Sequence, residues 1–220
     1  MHPYSDALNA MHDLLGTLGE QHWRSWIAQD INDWEGHKSV SHHLSAYGGM
    51  GSFNDIGFDD VWLGTLFDDL KSACYYFAHQ PTNKPDIRAL ERSMGIVGFE
   101  LSGWRCLACG YGVVSRRDIE YFIARRVIRQ NVLAEAGRTR LREFVASAIR
   151  LHPSDAVLTP ERVAGLADGS GLHIRDNNEW LRPCPSCGSA DTAVYRWLLA
   201  DDGHKFVPAH DNSQLRTDAA

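Results

Sequence analysis

Cys106-Leu107-Ala108-Cys109-Gly110 and Cys184-Pro185-Ser186-Cys187-Gly188 are the two stretches that decide how this chain is organised. Each is a Cys-x-x-Cys-Gly turn, and together they use four of the five cysteines. Two such pairs supply the four thiolates of a tetrahedral metal cage, and a cage filled by protein ligands leaves no position for substrate. Cys106, Cys109, Cys184 and Cys187 are therefore expected to hold one structural Zn2+. The glycine after each pair suits a turn whose backbone amides approach a thiolate. The fifth cysteine, Cys74, lies among apolar residues and reads as a small packed hydrophobe.

Strand patterns flank both turns. Residues 96–101 and 104–106 alternate, and 111–115 reads as a return strand, which puts the first pair at the tip of a β-hairpin. Trp180 to Pro183 leads into the second pair and residues 193–199 form a β-rich exit. This arrangement resembles a zinc ribbon, in which two hairpin knuckles share one metal, and the resemblance implies zinc as the cofactor. The chain departs from the simple pattern in its spacer, with 74 residues between the pairs where roughly 15–20 are usual. That spacer has helical periodicity. Ile119, Phe122, Ile123, Val127 and Ile128 recur by threes and fours, and Leu141, Phe144, Val145, Ala148 and Ile149 repeat the pattern after Gly137. A short helix is expected after Thr159-Pro160, stopped by Gly169 and Gly171.

The N-terminal part reads as helical throughout. Ser5 is a candidate cap for a helix with Leu8, Met11, Leu14, Leu15 and Leu18 on one face. Trp23, Trp26, Ile27, Ile31 and Trp34 mark a second helix, with Arg24, Gln29, Asp30 and Asp33 on its opposite face and Gly36 as its stop. A third runs through Val40, His43, Leu44 and Tyr47 into the glycine turn Gly48-Gly49-Met50-Gly51-Ser52, and a fourth carries Trp62, Leu66, Phe67, Leu70, Cys74 and Phe77. Leu44 to Asp55, with the Trp-bearing helix before it, resembles a family of small, uncharacterised bacterial helical proteins marked by a Gly-Gly-Met-Gly-Ser-(Phe/Leu)-Asn-Asp turn. The resemblance spans roughly residues 8–79. It implies a helical fold and a bacterial or phage source, and no activity.

The expected fold is α+β and mainly α: an N-terminal helical domain followed by a split zinc ribbon of two β-hairpin knuckles with a helical insertion. The expected divisions are an acidic, Trp-rich helical domain over 1–80, a linker over 81–95, the ribbon over 96–207 with its insertion at about 116–170, and a flexible tail over 208–220. Charge follows this division. Residues 1–95 hold 13 acids and 6 bases, net −7, whereas 96–220 hold 15 acids and 16 bases, net +1. No stretch is apolar enough to span a membrane and no signal-peptide pattern opens the chain, so a cytoplasmic protein with no membrane partner is expected. Cys-x-x-Cys pairs fit that compartment.

Signatures of nucleotide, hydride, metalloprotease and serine-hydrolase chemistry do not occur, and the glycine turn lacks the lysine of a phosphate loop. The second Cys pair matches half of the zinc-deaminase signature, but no His-x-Glu precedes it. The expected function is therefore a non-enzymatic, zinc-stabilised binding protein for a macromolecular partner, a protein, of the immunity, antitoxin or defence-related kind. The first alternative is nucleic-acid binding. Residues 116–150 carry nine Arg against four acids, with Arg125, Arg126, Arg129, Arg138, Arg140 and Arg142 as candidate phosphate contacts. The same arginines have a structural use, pairing with acids on their own helices or on the acidic N-terminal domain. The second alternative is an enzyme with a site near His42, His43 and Asp55.

Overall fold

Helix α1 (Pro3–Leu18) is apolar on most of its circumference, and the helices of the N-terminal part pack around it. In the computed structural model, which describes residues 2–80, 84–95, 100–150, 161, 164–165, 172–176, 183–199 and 206–208, Tyr4, Ala7, Leu8, Ala10, Met11, Leu14 and Leu15 are wholly buried. A helix clothed on several sides must be hydrophobic beyond one stripe. The helix is capped by His2 rather than Ser5: His2 Nδ1 accepts from the Tyr4 amide at 3.2 Å, and Pro3 occupies the first turn, where its missing N–H costs nothing. Gly19 closes it in the left-handed conformation, φ 77°.

Around α1 lie α2 (Gln21–His37), α4 (Val61–His79) and α7 (Leu141–Arg150). Helix α2 passes through Gly36 and stops at Lys38, which takes φ 54°. The shorter α3 (Ser41–Ser45) and a 3-10 turn (Phe53–Asp55) bracket the glycine turn, and α5 (Ile87–Ser93) follows α4. Asp60 and Asp86 cap α4 and α5, their carboxylates accepting from the Leu63 and Ala89 amides at 2.8 and 3.0 Å.

Helix α6 (Arg116–Arg138) is longer than its apolar pattern predicted and runs through Gly137 before Thr139 reverses the chain at φ 55°. No Ser, Thr, Asp or Asn stands directly before Leu141 to cap α7. Asp6, on α1, does so from a distance, its carboxylate accepting from the Leu141 and Arg142 amides at 2.6 and 3.3 Å.

The sheet comprises β1 (Glu100–Cys106), β2 (Gly112–Ser115), β3 (Leu172–Arg175), β4 (Thr192–Leu199) and β5 (Phe206–Pro208), in the order β3-β2-β1-β4-β5. Strands β2 and β3 are parallel and the other neighbours antiparallel, with Trp104 opposite Val113 and Val194, and Leu101 opposite Trp197. One face carries the core: Leu101, Val114, Leu172 and Trp197 against Ile119, Phe122 and Ile123 of α6. Gly103 and Gly112 make room for the Trp197 ring, because a Cβ at Gly112 would stand 2.8 Å from it and one at Gly103 3.0 Å from it.

The architecture is α+β and mainly helical. The chain divides into two compact units, Met1–Val97 with Ala124–His152, and Gly98–Ile123 with Pro153–Ala220. This differs from the expected 1–80, 81–95 and 96–207 division, because the stretch expected as one insertion is shared between the two. Its second part joins the helical unit through the buried face of α7 and the Asp6 cap. The expected short helix after Thr159-Pro160, the Trp180 lead-in and the tail beyond Pro208 fall wholly or mostly outside the described residues.

Candidate metal centre

Both Cys-x-x-Cys turns adopt the same backbone. In the first, the Gly110 amide donates to the Cys106 carbonyl at 2.9 Å and the Cys106 amide to the Tyr111 carbonyl at 2.8 Å; in the second, Gly188 donates to Cys184 and Cys184 to Ser189, each at 2.8 Å. The two glycines take φ 78° and 72°, a conformation that side chains resist. One hydrogen bond ties the turns together, Leu107 N–H to Asp191 C=O at 2.9 Å. Pairing of β1 with β4 brings the end of one turn beside the start of the other, with Cys106 opposite Thr192.

The sulfurs of Cys106, Cys109, Cys184 and Cys187 all lie within 4.8 Å of one another, so the four residues can hold a metal ion. Across the turns, Cys106 Sγ is 3.6 Å from Cys187 Sγ and Cys109 Sγ is 3.8 Å from Cys184 Sγ. Cys106 and Cys184 are buried, whereas Cys109 and Cys187 face solvent. The protons are shared unequally. The Tyr111 amide, helped by the neighbouring sulfurs, lowers the Cys109 thiol to about 7. At Cys187 the Ser189 amide pulls the same way, but the contacts with Cys109, Cys106 and Cys184 push that thiol up to about 12. Four sulfurs this close do not all ionise unaided, and a cation among them would remove the obstacle.

Of the candidate arginines, Arg129 is buried in the fold and Arg142 reaches α1, whereas Arg138 and Arg140 pair locally at the surface. Arg129, counted among the nucleic-acid contacts, is only 4% exposed; its Nε and Nη2 donate to Asp69 Oδ1 at 2.8 and 2.6 Å, and its Nη1 donates to the Gly95 carbonyl at 3.0 Å. Burial raises the Asp69 carboxyl while Arg129 pulls it down, and burial wins. Arg142 pairs with Asp13 at 2.7 Å, Arg140 with Glu143 at 2.8 Å, and Arg138 with Glu135 at 2.6 Å. Arg125 and Arg126 are half-buried.

His42 and His43 on one side and Asp55 on the other bond different partners among the described residues. Asp55 closes a capping box with Ser52, accepting from its amide at 2.9 Å. The histidines instead converge on Asp30, which the helical pattern had placed on the polar face of α2 and which is 1% exposed. His42 Nδ1 and His43 Nδ1 lie 2.5 and 2.8 Å from its two carboxylate oxygens, and His42 stacks on Trp26. The missed signal was spacing: Asp30 is the i−4 neighbour of the buried Trp34 and follows the buried Ile27 by three residues.

The sequence matches the family described as Domain of unknown function (DUF6966) over residues 16–60, from the end of α1 past the glycine turn. That match fits a small helical N-terminal domain and brings no activity with it. No curated protein and no solved structure matches the chain. Among the described residues, no helix is long and apolar enough to cross a membrane.

Proposed function

We propose that Cys106, Cys109, Cys184 and Cys187 hold one structural Zn2+ as the two knuckles of a split ribbon, and that the chain is a non-enzymatic binding protein for a protein partner, of the immunity, antitoxin or defence-related kind. The sulfur spacing carries this reading. A tetrahedral ion with Zn–S of about 2.3 Å has S–S edges of about 3.8 Å, and the two distances across the turns are 3.6 and 3.8 Å. Zinc there would act through folding, tying β1 to β4, and four thiolates fill its shell. A protein partner is favoured over nucleic acid on α6 and α7 because Arg129 is buried on Asp69 and Arg142 is held by Asp13 of α1. Phe53, just after the glycine turn, is buried and Met50 within it is fully exposed, and this reading takes Met50 as a contact residue.

Cobalt substitution tests the metal half. Co2+ added to chelator-treated protein should give the intense thiolate charge-transfer and d–d bands of a tetrahedral S4 site, and Cys184→Ser should abolish them. Bands of an octahedral ion, or none, would remove the cage. The partner half is tested by Met50→Asp: binding to a protein identified by crosslinking should be lost while the fold persists, and unchanged binding would take Met50 out of the interface.

A further inference from the structure

Each exposed sulfur of the four-cysteine cluster has a buried one across from it. Cys109 and Cys187 face solvent, whereas Cys106 and Cys184 are 2% and 3% exposed. The short contacts between the turns join one of each kind: Cys109 Sγ lies 3.8 Å from Cys184 Sγ, and Cys187 Sγ lies 3.6 Å from Cys106 Sγ. No bulky residue adjoins the outer pair in sequence. Ala108 and Gly110 flank Cys109, Ser186 and Gly188 flank Cys187, and all four are exposed. A small oxidant therefore reaches two of the four sulfurs, and each one it reaches has a second cysteine beside it, which is the arrangement that favours reversible oxidation.

We propose that Cys109 and Cys187 are sites of oxidation by hydrogen peroxide, that Cys184 and Cys106 resolve them, and that the two cross-turn disulfides displace the metal ion. This deepens the zinc reading and rests on it. In the first pair the Cys109 thiolate attacks one peroxide oxygen; an S–O bond forms, the O–O bond breaks, and hydroxide leaves. The Cys184 thiolate then attacks the Cys109 sulfur, forming the S–S bond and expelling a second hydroxide. Two solvent protons turn both hydroxides into water, so the two sulfurs together lose the two electrons that reduce one peroxide. Cys187 and Cys106 consume a second peroxide in the same way.

Geometry favours these pairs. To reach an S–S bond of about 2.05 Å each pair has to close by less than about 2 Å. Sulfurs so bonded are no longer thiolates, the form that ligates a metal. The links also run from the turn after β1 to the turn before β4. They take over the tie that the ion supplied, beside the β1–β4 pairing and the Leu107–Asp191 hydrogen bond. Oxidation thus releases metal without untying the sheet, whereas chelation removes the tie along with the ion. Cys74, wholly buried on α4, takes no part.

The test adds hydrogen peroxide stepwise to the full chain purified with its metal. A chromophoric chelator should report one zinc released for about two peroxides consumed. Peptide mapping without reductant should find Cys109 linked to Cys184, Cys106 linked to Cys187, and Cys74 as a free thiol. The β-sheet ellipticity should persist, and dithiothreitol should restore zinc uptake. In Cys184→Ser, dimedone should trap a sulfenic acid on Cys109; the wild-type map stands without this variant if it does not fold. Zinc held through excess peroxide, links confined to Cys106–Cys109 and Cys184–Cys187, or sulfinic acids with no disulfide overturns the proposal. Its failure is distinct from that of the metal reading. A chain that carries no zinc at the outset yet maps to the same cross-turn links defeats the metal and upholds the pairs, and a zinc-loaded chain without those links does the reverse.

Discussion

Arg129→Met isolates the buried ion pair between α4 and α6. Arg129 and Asp69 are 4% and 2% exposed, and the guanidinium makes two hydrogen bonds to Asp69 Oδ1 and one to the Gly95 carbonyl. Asp69 Oδ2 has no hydrogen-bond partner among the described residues, so only the charge of Arg125 still favours the carboxylate once Arg129 is gone. Stranding a buried charge costs about 3–5 kcal/mol, against a total stability of about 5–15 kcal/mol for a domain. With a urea m-value of about 2 kcal/mol/M, the midpoint should fall by roughly 2 M, read from helix ellipticity. The double variant Asp69→Leu/Arg129→Met should recover most of that loss, because an apolar pair carries no desolvation cost. A pH arm follows from sign. The Asp69 carboxyl is already raised by burial and rises further without Arg129, so the folded variant holds its proton more tightly than the unfolded chain and gains stability as pH falls. A loss below about 1 kcal/mol, or a double variant no better than the single one, would refute the reasoning and return Arg129 to the surface.

Asp6→Ala should cost about 1–2 kcal/mol in urea melts, since it uncaps α7 from α1. Burial raises the folded pKa of Asp6, so its contribution relative to Asp6→Asn is greatest below the ordinary carboxylate pKa and declines as pH climbs through the raised value; parallel profiles for the two proteins would contradict this. Asp30→Leu, which leaves His42 and His43 without their shared acceptor, should cost about 2–3 kcal/mol, with an unchanged melt as the opposing result. Gly51→Ala should cost about 1–2 kcal/mol because φ is 74° there, whereas Met50→Ser should change stability by less than about 0.5 kcal/mol.

Helices were legible where a local period announced them. The apolar residues of α1, α2 and α4 recur by threes and fours, and the two Cys-x-x-Cys-Gly turns are short-range patterns whose glycines take the φ the motif needs. What the pattern lacked was partners at long range. Periodicity says that α7 buries Leu141, Val145 and Ala148, but not that the matching surface is α1, so the sequence alone assigns the insertion to the cysteines that flank it. Asp6, Asp30 and Asp69 look like surface acids in a helical pattern, and each is buried because a donor from a distant segment meets it. Strand β3, four residues long and parallel to β2, has too short a run to be read without its neighbour.

The most direct measurement is the metal content of the intact chain, by native mass spectrometry alongside elemental analysis of protein purified without chelator. One zinc per chain, absent from Cys184→Ser and accompanied by loss of β-sheet signal on chelation, is the predicted result. A chain that folds without metal, with its four clustered thiols free to alkylate, would contradict the account at its centre.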